Sequence, residues 1–323
     1  MSRTRGRRRP GMKRAPRRPA ATRQRVRLTA RLVAATVETA CLMEARAPKP
    51  GNAHRGGDLP GLTWRDFVLS AAAVAEAFRR HPRGRVGRLT LAAVEATGRL
   101  VQTNTNLGIV LLLAPLFRAA LRPGPGSLRQ RLHLVLDDLD REDARLAYRA
   151  IRRARPGGLG RVARQDVRRA PTATLRECMR FAADRDAVAR EYATGYDTTW
   201  RVGLPALERA RAQGLAIDQA VVASGLALLA AFPDTLIARR HGPAAARSVR
   251  REARAVLAAG GPATPAGRAL TERLDRRLRS PRRRWNPGAT ADLVAASLFV
   301  WLLTRASRMA KPRKERDAGA ARP

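Results

Sequence analysis

The chain has 323 residues, 45% of them apolar, enough for one large folded domain or two small ones with a real core. Its formal net charge of +39 predicts attraction to polyanions: nucleic acid, an anionic membrane surface or phosphate-rich small molecules. Two widely spaced cysteines, Cys41 and Cys178, exclude a disulfide framework or a cysteine zinc site and suggest a reducing compartment.

Residues 1–26 form an Arg/Pro-rich stretch that cannot bury apolar surface, and a disordered basic tail is expected there. Met1 to Arg27 carry twelve basic residues and no acid, so +27 of the +39 belongs to the rest of the chain. The start lacks the apolar core of a secretory signal. Apolar runs such as Leu107 to Phe117 and Leu293 to Leu303 are short for a bilayer span. These features predict a soluble, cytoplasmic protein that does not enter the membrane.

The first helix is predicted from the three- and four-residue spacing of Leu28, Leu32, Val33, Val37, Ala40, Cys41 and Glu44, and Pro48 ends it. Thr63-Trp64-Arg65-Asp66 reads as a capping box opening a second helix through Ala77. Helices over 89–101 and 107–121 follow, the latter expected to kink at Pro115. Further helices are predicted near 127–139, 141–154, 174–194, 203–213, 217–231, 234–259, 265–279 and 289–308. Residues 311–323 make a polar C-terminal tail. Alternating β-branched strands are nearly absent, so the fold class is all-α: a single multi-helix globular domain over 27–310. No GxGxxG or GxxxxGK[ST] loop indicates a Rossmann or P-loop site.

Chemistry in such a chain belongs where polar turns feed or end apolar helices, and four places have this design. Ala47-Pro48-Lys49-Pro50-Gly51-Asn52, with Glu44 before it and His54 and Asp58 after it, is either a helix stop with a solvated lysine or one wall of a site. Thr103-Asn104-Thr105-Asn106-Leu107-Gly108 supplies an Asn106 N-cap, or an anion site at a helix N-terminus. Pro233-Asp234-Thr235 offers another N-cap, followed by Arg239, Arg240 and His241. Asn286-Pro287-Gly288 leads to Asp292 in the first turn of an apolar helix, where a buried carboxylate calls for a partner.

In this order, these segments resemble the triphosphoribosyl-dephospho-CoA synthase family. The resemblance is carried by Glu44 with Ala47 to Asn52, Asp66-Phe67 with Ser70-Ala71, Glu95 with Asn104 to Gly108 and Leu111 to Leu116, Pro233-Asp234-Thr235, and Asn286-Pro287-Gly288 with Ala291-Asp292-Leu293. It spans about residues 28 to 305. Characterised members carry Gly-Ala-His-x-Asp-Met after the Pro-Gly turn and Asn-Thr-His-Lys-Gly at the second break. Here His54 comes early, Gly57-Asp58-Leu59 follows, and Asn104-Thr105-Asn106-Leu107-Gly108 replaces the second motif. The chain looks more like a divergent branch common in archaea and some bacteria, including members linked to one-carbon metabolism.

The resemblance implies an all-α transferase joining ATP to a hydroxyl of 3′-dephospho-CoA or a related acceptor, with release of adenine. It implies Glu44 and Asp58 as the catalytic carboxylate pair. Lys49, Asn52, His54, Asn104, Asn106, Gly108, Arg239, His241 and Asn286 would bind nucleotide and phosphates, and Asp234 and Asp292 would hold Mg²⁺ or ribose hydroxyls. The alternatives are a basic nucleic-acid-binding protein, for which no helix-turn-helix, zinc-finger or RRM signature is present, and a non-catalytic nucleotide-binding member of the same fold.

Overall fold

The computed structural model describes residues 28–309; the tails expected over 1–26 and 311–323 lie outside the described residues. Among those described, fourteen α-helices follow one another with one π-helical turn and one short 3₁₀ turn. The only β-type pairings among the described residues are two isolated bridges, His54 with Gly57 and Leu59 with Leu62.

The first half contains α1 (Ala30–Arg46), α2 (Trp64–Arg80), α3 (Val86–Leu100), α4 (Leu107–Leu121), α5 (Leu128–Asp137) and α6 (Arg141–Ala154). The expected capping box is present: Thr63 Oγ1 accepts from Asp66 N, and Thr63 N donates to the Asp66 carboxylate at 2.8 Å. A cap of this kind contributes about 1 kcal/mol, and α2 runs three residues past the predicted Ala77 end.

α4 continues through Pro115. The proline removes the N–H that would have bonded the Leu111 carbonyl. That carbonyl instead accepts from the Tyr192 hydroxyl at 2.6 Å, and the next one, of Leu112, accepts from Tyr196 at 2.8 Å. Two fully buried tyrosines thus offset a helix defect that otherwise costs about 3 kcal/mol.

The second half contains α7 (Leu175–Arg180), α8 (Ala187–Thr194), the π-turn Thr199–Gly203, α9 (Leu204–Ala212), α10 (Ile217–Ala231), α11 (Thr235–His241), α12 (Pro243–Ala258), the 3₁₀ turn Gly261–Ala263, α13 (Pro265–Arg279) and α14 (Gly288–Met309). Two predicted helices are divided. The stretch 174–194 breaks at 181–186 because Asp186 takes an extended backbone and caps α8 through Ala189 N. The stretch 234–259 breaks at Gly242, whose φ of +86° ends α11, and Pro243 opens α12.

α14 carries the core. It packs against α1, α4 and α10, and Val294, Ala295, Ala296, Leu298, Phe299 and Val300 are fully buried. Its segment Gly288–Ala306 is long and apolar enough to cross a bilayer, longer than the apolar run alone suggested. Most of that segment is buried within the protein, as a core helix requires.

Candidate active site

The helix ends that meet beside α14 enclose a cavity of about 620 Å³, within the usual range of small-molecule sites. Its walls come from the C-terminus of α1, the turn after it, the N-termini of α4, α8 and α14, and residues 155–167 between α6 and α7. All four polar breaks singled out in the sequence therefore converge here.

The turn after α1 is clamped from α13. Gly51 N donates to Asp275 Oδ1 at 2.8 Å, and Arg279 donates to the carbonyls of Asn52, Gly57 and Asp58. Gly51 has φ +76°, and a Cβ there would lie 2.8 Å from the Trp285 carbonyl oxygen. Only glycine lets the two proline turns pack this closely. Across that contact, Asn52 Nδ2 donates to Asn286 Oδ1 at 2.8 Å, and both residues line the cavity.

Lys49 does not point into the cavity. Its ammonium lies 2.9 Å from Glu44 Oε1 and also donates to the Glu44 carbonyl, while its stem packs 3.5 Å from the position a Cβ would take on Gly225 of α10. Both side chains are only 3% exposed. The expected phosphate ligand is thus the internal counter-ion of Glu44. Glu44 lines the cavity with its orientation fixed by that pair.

Asp58 and His54 lie outside the cavity lining. Asp58 Oδ1 accepts from Trp64 N at 2.8 Å, which ties the loop to the start of α2. His54 Nδ1 accepts from Gly56 N at 3.1 Å. Burial first, then the Arg279 guanidinium, push its pKa down, so it is neutral and ill-suited to hold a phosphate.

Three further carboxyls share the cavity with Glu44: Asp166 and Asp186, each paired with an arginine, and Asp292, for which no ion pair forms among the described residues. Asp292 keeps some exposure through the cavity, while protein encloses the carboxyl closely. Its pKa is pushed well above the ordinary carboxylate value, chiefly by burial, then by the charges of Glu44, Asp186 and Asp234; Arg239 opposes them. Gly108, in the first turn of α4, makes this placement possible, since a Cβ there would fall 2.0 Å from Asp292 Oδ2.

Asp234 has a different task. Oδ1 accepts from Leu236 N and Ile237 N, each at 2.9 Å, and Oδ2 accepts from Thr290 N and Thr290 Oγ1, each at 2.8 Å. Both oxygens are spent capping α11 and fastening it to α14, which takes Asp234 out of the expected metal set. Among the described residues no group of three or more His, Cys, Asp or Glu is arranged for a metal ion.

At the second break Asn106 occupies the N-cap position of α4 as expected but makes no capping bond with its side chain; the side chain that reaches the helix start is that of Asn104. Asn104 Oδ1 accepts from Leu107 N at 3.1 Å, and Asn106 Nδ2 donates to Thr97 Oγ1 at 3.3 Å. Both line the cavity. Arg239 also lines it and pairs with Asp186; His241 lies outside, its ring 6.0 Å from that of Trp285. Burial, with Arg240 beside it, lowers the His241 pKa.

The segment 155–167 was not foreseen. It contains Pro156-Gly157-Gly158-Leu159-Gly160, and it packs on α11 so tightly that a Cβ on Gly157 would sit 2.5 Å from Arg240 Nη2. Three glycines in four residues beside several arginines were the available signal, although the run matches neither nucleotide-loop pattern.

Comparisons with known proteins identify the family. The profile of the ATP:dephospho-CoA triphosphoribosyl transferase (CitG) family matches residues 30–311, nearly the whole described chain. The chain belongs to this family of transferases. A Pseudomonas fluorescens relative, provisionally named 2-(5''-triphosphoribosyl)-3'-dephosphocoenzyme-A synthase, is 31% identical over 225 residues, covering 68% of this chain and 67% of the relative. The Klebsiella pneumoniae protein of that name is 39% identical over 113 residues, 35% of this chain and 40% of the relative. A crystal structure from Archaeoglobus fulgidus, described as a candidate triphosphoribosyl-dephospho-CoA synthase, superposes with a TM-score of 0.54 at 25% identity, covering 72% of this chain and 97% of that one.

Proposed function

We propose that this chain transfers the triphosphoribosyl group of ATP to a hydroxyl of 3′-dephospho-CoA, releasing adenine. The family membership supports the reaction class. The observation that carries the site assignment is the pair Glu44 and Asp292 lining one cavity, one carboxyl held against an ammonium and the other pressed by burial and neighbouring charge toward its neutral form. Glycosyl transfer uses two carboxyls in opposite protonation states.

In this reading Glu44 accepts the proton of the acceptor hydroxyl as its oxygen bonds to the anomeric carbon. The bond from that carbon to adenine breaks, and Asp292 gives its proton to the departing base. The Glu44 charge also stabilises the oxocarbenium character of the carbon between them. Asp292 thus takes the place that the resemblance gave to Asp58. Asn52, Asn286 and Asn104 supply hydrogen bonds for ribose or base, and Arg239, fixed by Asp186, faces phosphate.

The donor set does not fit a resident metal, because the oxygens of Asp234 are saturated and no three carboxylates or histidines converge among the described residues. Magnesium enters as the counter-ion of ATP, held by phosphate oxygens.

The test is to incubate the purified protein with ATP and Mg²⁺, with and without dephospho-CoA, and to measure free adenine and the coupled nucleotide by chromatography with mass detection. Adenine release that depends on dephospho-CoA is expected. No adenine with this acceptor or a related hydroxyl acceptor overturns the transfer.

A further inference from the structure

The main cavity is lined by Arg155, Arg185, Arg239, Arg240, Arg279 and Arg284, of which Arg239 and Arg279 are already paired with carboxylates. The product carries the triphosphate of ATP together with the diphosphate of dephospho-CoA, and two of the cations expected to hold phosphate, Lys49 and His54, are turned away from the cavity. A second cavity of about 660 Å³ adjoins the first and shares Thr103, Asn104, Asn106 and Arg155 with it. Arg149, Arg152, Arg153 and Arg155, from the end of α6, line it, and no carboxylate does.

The pairing of these arginines is informative. Arg149 reaches Glu95 at 3.3 Å and Arg152 donates to the Val167 carbonyl at 2.7 Å. The guanidiniums of Arg153 and Arg155, both exposed, make no hydrogen bond or ion pair with the described residues, as is also true of Arg251 and Arg273 elsewhere; what sets these two apart is that they line one cavity in which no carboxylate stands. Arg155 also has φ +46°, the left-handed conformation that glycine ordinarily supplies after a helix. An arginine kept there at a cost of about 1 kcal/mol places a guanidinium on the wall common to both cavities.

We propose that this arginine-lined cavity is the triphosphate subsite, with the ribose reaching through the Thr103–Asn106 wall toward Glu44 and Asp292. The inference rests on the transfer reading and adds where the polyphosphate lies. Its lining selects between the two substrates. Val94, Val101 and Ala154 are its only sizeable apolar contributors, so a wholly polar chain gains most there. The main cavity, with Leu59, Phe67, Ile109, Ile151 and Met179, suits the bases and the pantetheine arm. Arginine meets phosphate oxygens in paired, charge-assisted hydrogen bonds, which two unpaired guanidiniums are free to make.

The probe is inorganic tripolyphosphate, titrated calorimetrically at moderate salt into the full chain, alongside steady-state kinetics. The variants are Arg153→Ala/Arg155→Gly, which keeps the backbone conformation at 155, and Arg153→Glu. Arg251→Ala/Arg273→Ala removes the same charge from exposed positions elsewhere. The subsite predicts that tripolyphosphate competes with ATP. The first variant should weaken tripolyphosphate binding at least tenfold and raise KM for ATP at least tenfold, with KM for dephospho-CoA changed less than twofold, and Arg153→Glu should lose more. The control variant should stay within twofold of the parent. An equal loss in the control, a rise confined to KM for dephospho-CoA, or unchanged tripolyphosphate affinity each overturns the assignment. If the parent chain releases no adenine, the transfer reading fails, while the tripolyphosphate titrations still decide the subsite.

Discussion

The two sides of the main cavity are built differently. On the side of α1, α13 and α14, nearly every polar group has a protein partner: Glu44 with Lys49, Asn52 with Asn286, Gly51 N with Asp275, Asp234 with Thr290. On the side of α6 and the loop to α7, glycines and a left-handed arginine hold guanidiniums that lack partners. A saturated wall fixes geometry and leaves few groups for a ligand, whereas an unsaturated wall is completed by its ligand. Chemistry that needs carboxylates held still belongs on the first, and recognition of a flexible, highly charged chain on the second.

The sharpest way to break this contrast is Glu44→Gln. Removing one partner of a buried ion pair leaves the other charge uncompensated, which costs about 3–5 kcal/mol. The variant should lose stability and at least about a hundredfold in turnover as its general base disappears. The double variant Glu44→Gln/Lys49→Met removes both charges and should recover most of the stability and none of the activity. Thermal unfolding and adenine release on the three proteins separate the roles. Full activity in the double variant would take Glu44 out of the chemistry.

Asp292→Asn tests the other carboxyl, and the sign of its effect on stability is opposite. Because the folded-state pKa is raised, the folded protein binds the proton more tightly than the unfolded chain. Its unfavourable contribution is absent below the ordinary carboxylate value of 3.8 and grows as pH rises toward the folded pKa. Asp292→Asn should therefore be as stable as the parent near pH 4 and more stable at pH 8. Turnover should fall by about a hundredfold or more, and the alkaline limb of the pH–rate profile assigned to the acid should vanish. Equal stability at pH 8 would mean that the carboxyl is not strained by burial.

Gly108→Ala probes the same carboxyl from the α4 side. A methyl placed 2.0 Å from Asp292 Oδ2 forces α4 or the Asp292 side chain to move. Overpacking of this kind costs about 1–3 kcal/mol. Turnover should fall about tenfold through misplacement of the acid, with KM for ATP changed less. Parent-like turnover and melting temperature would show that the contact relaxes freely.

Much of this was legible in the residues. Apolar spacing located the helices, and a polar turn against an apolar helix marked all four breaks that meet at the cavity. What spacing does not carry is the direction of a side chain once the backbone has turned. Lys49 looks like a lone cation available for phosphate until the two-proline turn folds it back under Glu44. The residues point to Asp58 as the partner of Glu44 and to Asp292 as a magnesium ligand, yet the close contact of α4 with α14, nearly two hundred residues apart in sequence, sets Asp292 in the cavity that Glu44 lines, and Asp58 lies outside it. The PGGLG run was passed over because phosphate loops are sought by fixed glycine spacing. Here the glycines act by letting Arg240 approach, which depends on another helix.

Asp234 gives the smallest expected effect on turnover and the cleanest check on the saturated wall. Its oxygens accept four hydrogen bonds, three from backbone N–H groups and one from the Thr290 hydroxyl. In Asp234→Asn the amide oxygen can keep the two bonds that cap α11, but the NH₂ group meets the Thr290 N–H instead of accepting from it. A buried polar group left facing another donor costs about 1–3 kcal/mol, so the melting temperature should drop. Turnover at a temperature where the variant stays folded should remain within about twofold, and the dependence on magnesium should match the parent, because the carboxylate holds helices together rather than a metal. A large loss of turnover relieved by raised magnesium would return Asp234 to the metal set and show that this wall is less closed than its hydrogen bonds make it.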